Sequence, residues 1–70
     1  MRLTVNGDAR ELPEGVTVAE LVRISAGVDA RAARGTAVAV DAEVVPRSAW
    51  ETTALHGGQQ VELLRAIQGG

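Results

Sequence analysis

The sequence predicts an α+β fold, a mixed sheet of four to five strands packed on one main helix. Three observations carry this prediction. Apolar and polar residues alternate near both ends of the chain, an Asn-Gly pair interrupts the first alternation, and the apolar period changes near Thr17 from that of a strand to that of a helix. One helical stripe and one apolar sheet face result, and each needs the other as a cover.

The elements follow in order. In "RLTVNGDARELP" Leu3 and Val5 share one face, and Asn6-Gly7 is the dipeptide that best tolerates the positive φ angles of a type I′ hairpin turn. A strand, a tight turn and a second strand are expected, closed by Pro13 and Gly15. Thr17-Val18-Ala19-Glu20 is a capping box, in which the Thr hydroxyl and the Glu carboxylate take up amides left unpaired at a helix start. Val18, Leu21 and Val22, continued by Ile24 and Val28, form the helical stripe, with Glu20 and Arg23 opposite and Gly27 as the stop. "VDARAARG" reads either as a loop or as a further helical turn.

"TAVAV", residues 36–40, is a strand with Val38 and Val40 on one face and the smaller Ala37 and Ala39 on the other. Asp41-Ala42-Glu43 turns the chain into a short strand, Val44-Val45, ended by Pro46. Ser48-Ala49-Trp50-Glu51 repeats the capping-box pattern and predicts a single helical turn, with Trp50 packed over the sheet edge. After Gly57-Gly58 the last strand, "QQVELLRA", points Val61 and Leu63 one way and Glu62 and Leu64 the other. A sheet grasping one helix in this order is the β-grasp, or ubiquitin-like, arrangement, in which the first and last strands run parallel at the sheet centre. Residues 1–66 form the β-grasp domain, and residues 67–70 are expected to be a flexible C-terminal tail.

Seventy residues with a single aromatic, Trp50, make a thin aliphatic core. There is no cysteine, hence no disulfide, thiolate metal site or thiol nucleophile. A net charge of −2 and a pI near 5.2 oppose a nucleic-acid surface, which needs clustered basic residues and stacking aromatics. No apolar run approaches the roughly 18 residues of a membrane span. A cytoplasmic protein, monomeric when free, is expected. His56 is the single histidine, so no metal site is expected, and Ser25 and Ser48 offer no catalytic triad. Glu11 and Glu14 read as solvated faces, and Arg47 as a residue that closes its turn.

The chain closes with "AIQGG", Ala66 to Gly70. A carboxylate repels nucleophiles through its charge, so using one as an acyl donor requires activation, ordinarily adenylation by ATP. Gly69 and Gly70 lack a Cβ, so they can thread a narrow channel and be approached from either side. Five extended residues reach at most roughly 17 Å, enough to enter another protein's active site while the body docks outside. Leu64, beside the small Ala37 and Ala39, is either part of an apolar docking patch or an isolated exposed leucine. Arg65 either pairs with acids on a partner or is simply solvated.

The run from Ala37 to Gly70, with Val45-Pro46-Arg47 followed by Trp50, then Gly58, Val61-Glu62-Leu63 and the final Gly69-Gly70, resembles the ThiS family, the sulfur-carrier proteins of thiamine biosynthesis. "VNGDARELPEGVTVAELV" fits as well, so the resemblance spans the chain. It implies a protein co-substrate with no intrinsic catalytic residue and no bound cofactor. A ThiF-like activating enzyme would adenylate the Gly70 carboxylate with ATP and Mg2+. Sulfur drawn from cysteine by a desulfurase would convert the adenylate to a thiocarboxylate, and a ThiG-like thiazole synthase would take that sulfur. Leu64, Arg65, Ile67 and Gln68 would be partner-binding. The small subunit of molybdopterin synthase, a ubiquitin-like protein modifier and a binding module whose tail is inert are the alternatives. The chain departs from the family pattern at Asp41-Ala42, where Asn-Gly is usual, and at Gln59, where an acid is usual. Alanine disfavours positive φ, so a turn other than type I′ is expected at Asp41-Ala42.

Overall fold

The computed structural model describes residues 1–26 and 35–65. Strands β1 (Arg2–Val5) and β2 (Asp8–Glu11) precede helix α1 (Val18–Ala26). Strands β3 (Thr36–Val40) and β4 (Glu43–Val45), a 3-10 turn (Arg47–Ala49) and strand β5 (Gln60–Arg65) follow. The five strands form one mixed sheet in the order β2-β1-β5-β3-β4. β1 and β5 are parallel, with Thr4 opposite Gln60 and Val5 opposite Val61, and the other neighbours are antiparallel. This is the β-grasp architecture the sequence predicts.

Both expected hairpins are present. Asn6 and Gly7 have φ of 51° and 85°, the type I′ pattern, and the flanking pair is Val5 with Asp8. The second turn corrects the expectation drawn from alanine. Asp41 and Ala42 both take positive φ, 49° and 68°, between the paired Val40 and Glu43, so this is also a primed turn. Pairing on both sides overrides the preference of a single residue. Asp41 contributes a further hold, because its N–H donates to the Gln60 carbonyl (2.7 Å) while its Oδ1 accepts from the Gln60 N–H (2.9 Å).

The start of α1 is fully bonded. The Glu20 N–H donates to Thr17 Oγ1 and the Thr17 N–H to Glu20 Oε1, each at 3.2 Å, which is the predicted box. The next amides go elsewhere: the Val18 N–H donates to the Thr53 carbonyl (2.9 Å) and the Ala19 N–H to the Trp50 carbonyl (3.1 Å). The segment after the 3-10 turn is thereby fastened to the helix N-terminus. Val18, Ala19, Leu21 and Val22 are buried against Leu3, Val5, Val38 and Val61 of the sheet, with Leu12, Val16, Trp50 and Leu55 closing the sides.

Two further expectations are corrected. Ile24 is 57% exposed and does not belong to the buried stripe. At about 100° per residue it stands roughly 120° from Val18, whereas Leu21 and Val22 flank Val18. The helical turn near Trp50 begins at Arg47, with Pro46 as its N-cap and no side-chain cap bond, so Ser48 does not start a capping box. Proline's fixed φ, here −64°, sets the entry instead. Gly27, Val28, most of "VDARAARG" and the boundary between residues 66 and 67 lie outside the described residues.

Candidate carrier terminus and docking face

Three elements converge on the end of β5. On one side β3 pairs along it, with Thr36 opposite Arg65, Ala37 opposite Leu64 and Val38 opposite Leu63. On the other side β1 ends at Val5, two residues short of Leu63 in the parallel register. The side chain of Asn6 fills that gap. Its Oδ1 accepts from the Leu63 N–H (2.8 Å), its Nδ2 donates to the Leu63 carbonyl (3.2 Å), and its own N–H donates to the Val61 carbonyl (2.9 Å). An amide side chain carries one acceptor and a donor group in the same plane as a peptide. Asn6 therefore extends the β1 ladder past the strand's end. Sequence reasoning read Asn6 only as a turn former, and the missed signal is that asparagine at a strand end can bond a neighbouring backbone.

Alternation along β5 buries Val61, half-buries Leu63 and leaves Glu62 and Leu64 on the outward face, as expected. Leu64 is 65% exposed, directly across from the exposed Ala37. Ala39, on the same face of β3, pairs with Glu62 on one side and with Val44 of β4 on the other. Val44 is 72% exposed, while its neighbour Val45 packs against the core. Leu64, Ala37, Ala39 and Val44 thus lie on one low-relief apolar face interrupted by Glu62. Val44 was legible only as part of a short strand, since the sequence does not say which of two adjacent valines turns outward.

The other residues named from sequence are structural. Trp50 is buried and its Nε1–H donates to the Val45 carbonyl (3.0 Å). Arg47 does more than close a turn, for its guanidinium carbon lies 5.6 Å from the Trp50 ring centroid, a cation–π distance. Glu11 is exposed yet lies 3.7 Å from the Arg2 guanidinium, a contact worth little in water. Gln59 replaces the usual acid after Gly58, and its Oε1 accepts from the His56 N–H (2.7 Å), closing the turn before β5. Of the expected site residues, Leu64 and the backbone of Arg65 are described. Ile67, Gln68, Gly69 and Gly70 lie outside the described residues.

A β-grasp body whose central strand leads directly in sequence to a Gly-Gly pair, beside an exposed apolar face, has the build of the ubiquitin-like carrier proteins. Comparison with known proteins narrows the class. Residues 3–70 match the ThiS family model. The chain is 34% identical to the sulfur carrier protein ThiS of Escherichia coli (strain K12), with both chains covered in full. The crystal structure of a thiamine biosynthesis protein (ThiS) from Geobacter metallireducens superposes with a TM-score of 0.79 at 32% identity, again over the whole of both chains. A solution structure of a thiamine biosynthesis protein from the same organism gives a TM-score of 0.75, covering all of this chain and 88% of that one. The chain belongs to the ThiS family, the sulfur carriers of thiamine biosynthesis.

Proposed function

We propose that the carboxylate of Gly70 is the group that carries sulfur. The observation that supports this most directly is the position of β5, a central strand bonded on both edges, whose sequence runs on through three residues to Gly69-Gly70. In this reading the carboxylate attacks ATP and releases pyrophosphate, leaving an acyl adenylate. A sulfur nucleophile then displaces AMP. Sulfide gives the thiocarboxylate directly; a persulfide gives an acyl disulfide, which a thiol reduces to the thiocarboxylate. Sulfur is larger and more polarisable than oxygen, so the product is the stronger nucleophile toward a thiazole-forming enzyme. ATP and Mg2+ belong to the activating enzyme, and the carrier supplies only its terminus. The partners are a ThiF-like activating enzyme, a desulfurase that draws sulfur from cysteine, and a ThiG-like synthase.

Leu64, with Ala37, Ala39 and Val44, is the docking face, and Arg65, Ile67 and Gln68 make the contacts that follow toward the terminus. A flat apolar face suits two successive enzymes because it demands no deep pocket complementary to either.

Intact-mass measurement after incubation with ATP, the activating enzyme and a sulfur source tests the reading. A mass gain equal to sulfur minus oxygen, lost when one residue is added after Gly70, is the expected result. Adducts on lysines of other proteins would identify a modifier instead. No change in the presence of an enzyme that charges another carrier of this family would overturn the proposal.

A further inference from the structure

We infer that Asn6 is a positioning residue for sulfur loading. Its side-chain amide holds the last described residues of β5 in register and so aims the chain that follows toward the activating enzyme. This rests on the proposed role of Gly70 and adds to it a residue distant in sequence from the terminus.

The argument begins with the register. β1 supplies backbone partners to β5 as far as Val61, through the Asn6 N–H, and then turns away. In a strand the N–H and C=O of alternate residues face the same neighbour, so the next pair on that edge belongs to Leu63. Without Asn6 that pair would find no partner on the β1 side. The amide satisfies both groups at once, with bonds of 2.8 and 3.2 Å. Leu63 is two residues from the end of β5 at Arg65.

The side chain is itself held. Asn6 sits at φ 51° in a two-residue turn whose flanking pair, Val5 and Asp8, is fixed by the hairpin, and its own N–H is bonded to Val61. Asparagine tolerates this backbone better than most residues and carries the amide as well. Aspartate could not replace it, because an ionised carboxylate has no donor for the Leu63 carbonyl. The opposite end of β5 has a matching clasp, the Asp41 side chain on the Gln60 N–H. The two clasps hold the same strand, and only Asn6 stands at the end that leads to Gly70.

Threading a chain into a partner's active site costs less when its base is already ordered. Loosening Leu63 should therefore reduce productive encounter with the activating enzyme more than it reduces stability of the body. Glycine accepts the positive φ at both Asn6 and Asp41, so Asn6→Gly and Asp41→Gly each remove a side-chain clasp without adding backbone strain.

The test combines amide hydrogen exchange of the free carrier with steady-state adenylation, measured as pyrophosphate release, for the parent, Asn6→Gly and Asp41→Gly. Asn6→Gly is expected to speed exchange at Leu63 about tenfold, as for the loss of a typical pair of bonds. It should lower kcat/KM for adenylation by a similar factor, mainly through KM. Asp41→Gly should speed exchange at Gln60 and leave kcat/KM within about twofold of the parent. Unchanged exchange at Leu63 in Asn6→Gly would overturn the clamp. Faster exchange with kcat/KM no lower than in Asp41→Gly would overturn the positioning role. If the parent itself is not adenylated, the carrier reading fails, and the exchange arm still decides the clamp.

Discussion

Leu64 offers the sharpest test of the docking face. Complete burial of a leucine side chain is worth about 1.5–3 kcal/mol, and 65% of the Leu64 surface remains exposed in the free carrier. Covering that remainder in a complex would contribute about 1–2 kcal/mol. Leu64→Ala should thus raise KM for the activating enzyme roughly five- to thirtyfold. Leu64→Glu should do more, since a carboxylate facing an apolar partner must also be desolvated. Stability should shift by no more than about 0.5 kcal/mol in either variant, because most of the side chain is exposed. The assay is adenylation kinetics beside thermal unfolding, with Val44→Ala as a second probe of the same face. Parent-like KM in both Leu64 variants would refute the reasoning. A fall of several degrees in Tm would show instead that Leu64 supports the body.

Two further outcomes follow from the folded body. Ala42 stands at φ 68°, where a residue with a Cβ loses about 1–2 kcal/mol; glycine gives part of that back as unfolded-state entropy, so Ala42→Gly should gain about 0.5–1 kcal/mol, seen as a higher Tm. Trp50→Phe retains most of the apolar surface but leaves the Val45 carbonyl without its indole donor, so a loss of about 1–3 kcal/mol is expected by thermal unfolding followed with circular dichroism.

Local chemistry made much of this fold legible. The Thr17-Glu20 box and the Asn6-Gly7 turn depend on neighbours within four residues, and both form as read. Strand alternation likewise placed Val38 inward and Leu64 outward, because a period of two leaves no third choice. What escaped was set by distant contacts or by finer geometry. Ile24 was read as continuing the stripe, although rotation about the helix carries it away from Val18 and Val22, and it is exposed. Ser48 resembled a cap, but Pro46 had already fixed the backbone. Ala42 adopts a conformation it disfavours because β3 and β4 close around it. At the candidate site, Leu64 and its alanine neighbours were legible. Val44 and the Asn6 amide depended on which strands adjoin β5 and how far each one runs.

The sheet order has a mechanical consequence. Tension applied at Arg65 along the strand axis would act on β5. That strand lies between β1 and β3, with bonds to both running across the direction of pull. The load falls on many bonds together in shear and does not peel them apart one at a time, as it would from an edge strand. The body can thus resist tension applied at the end of β5.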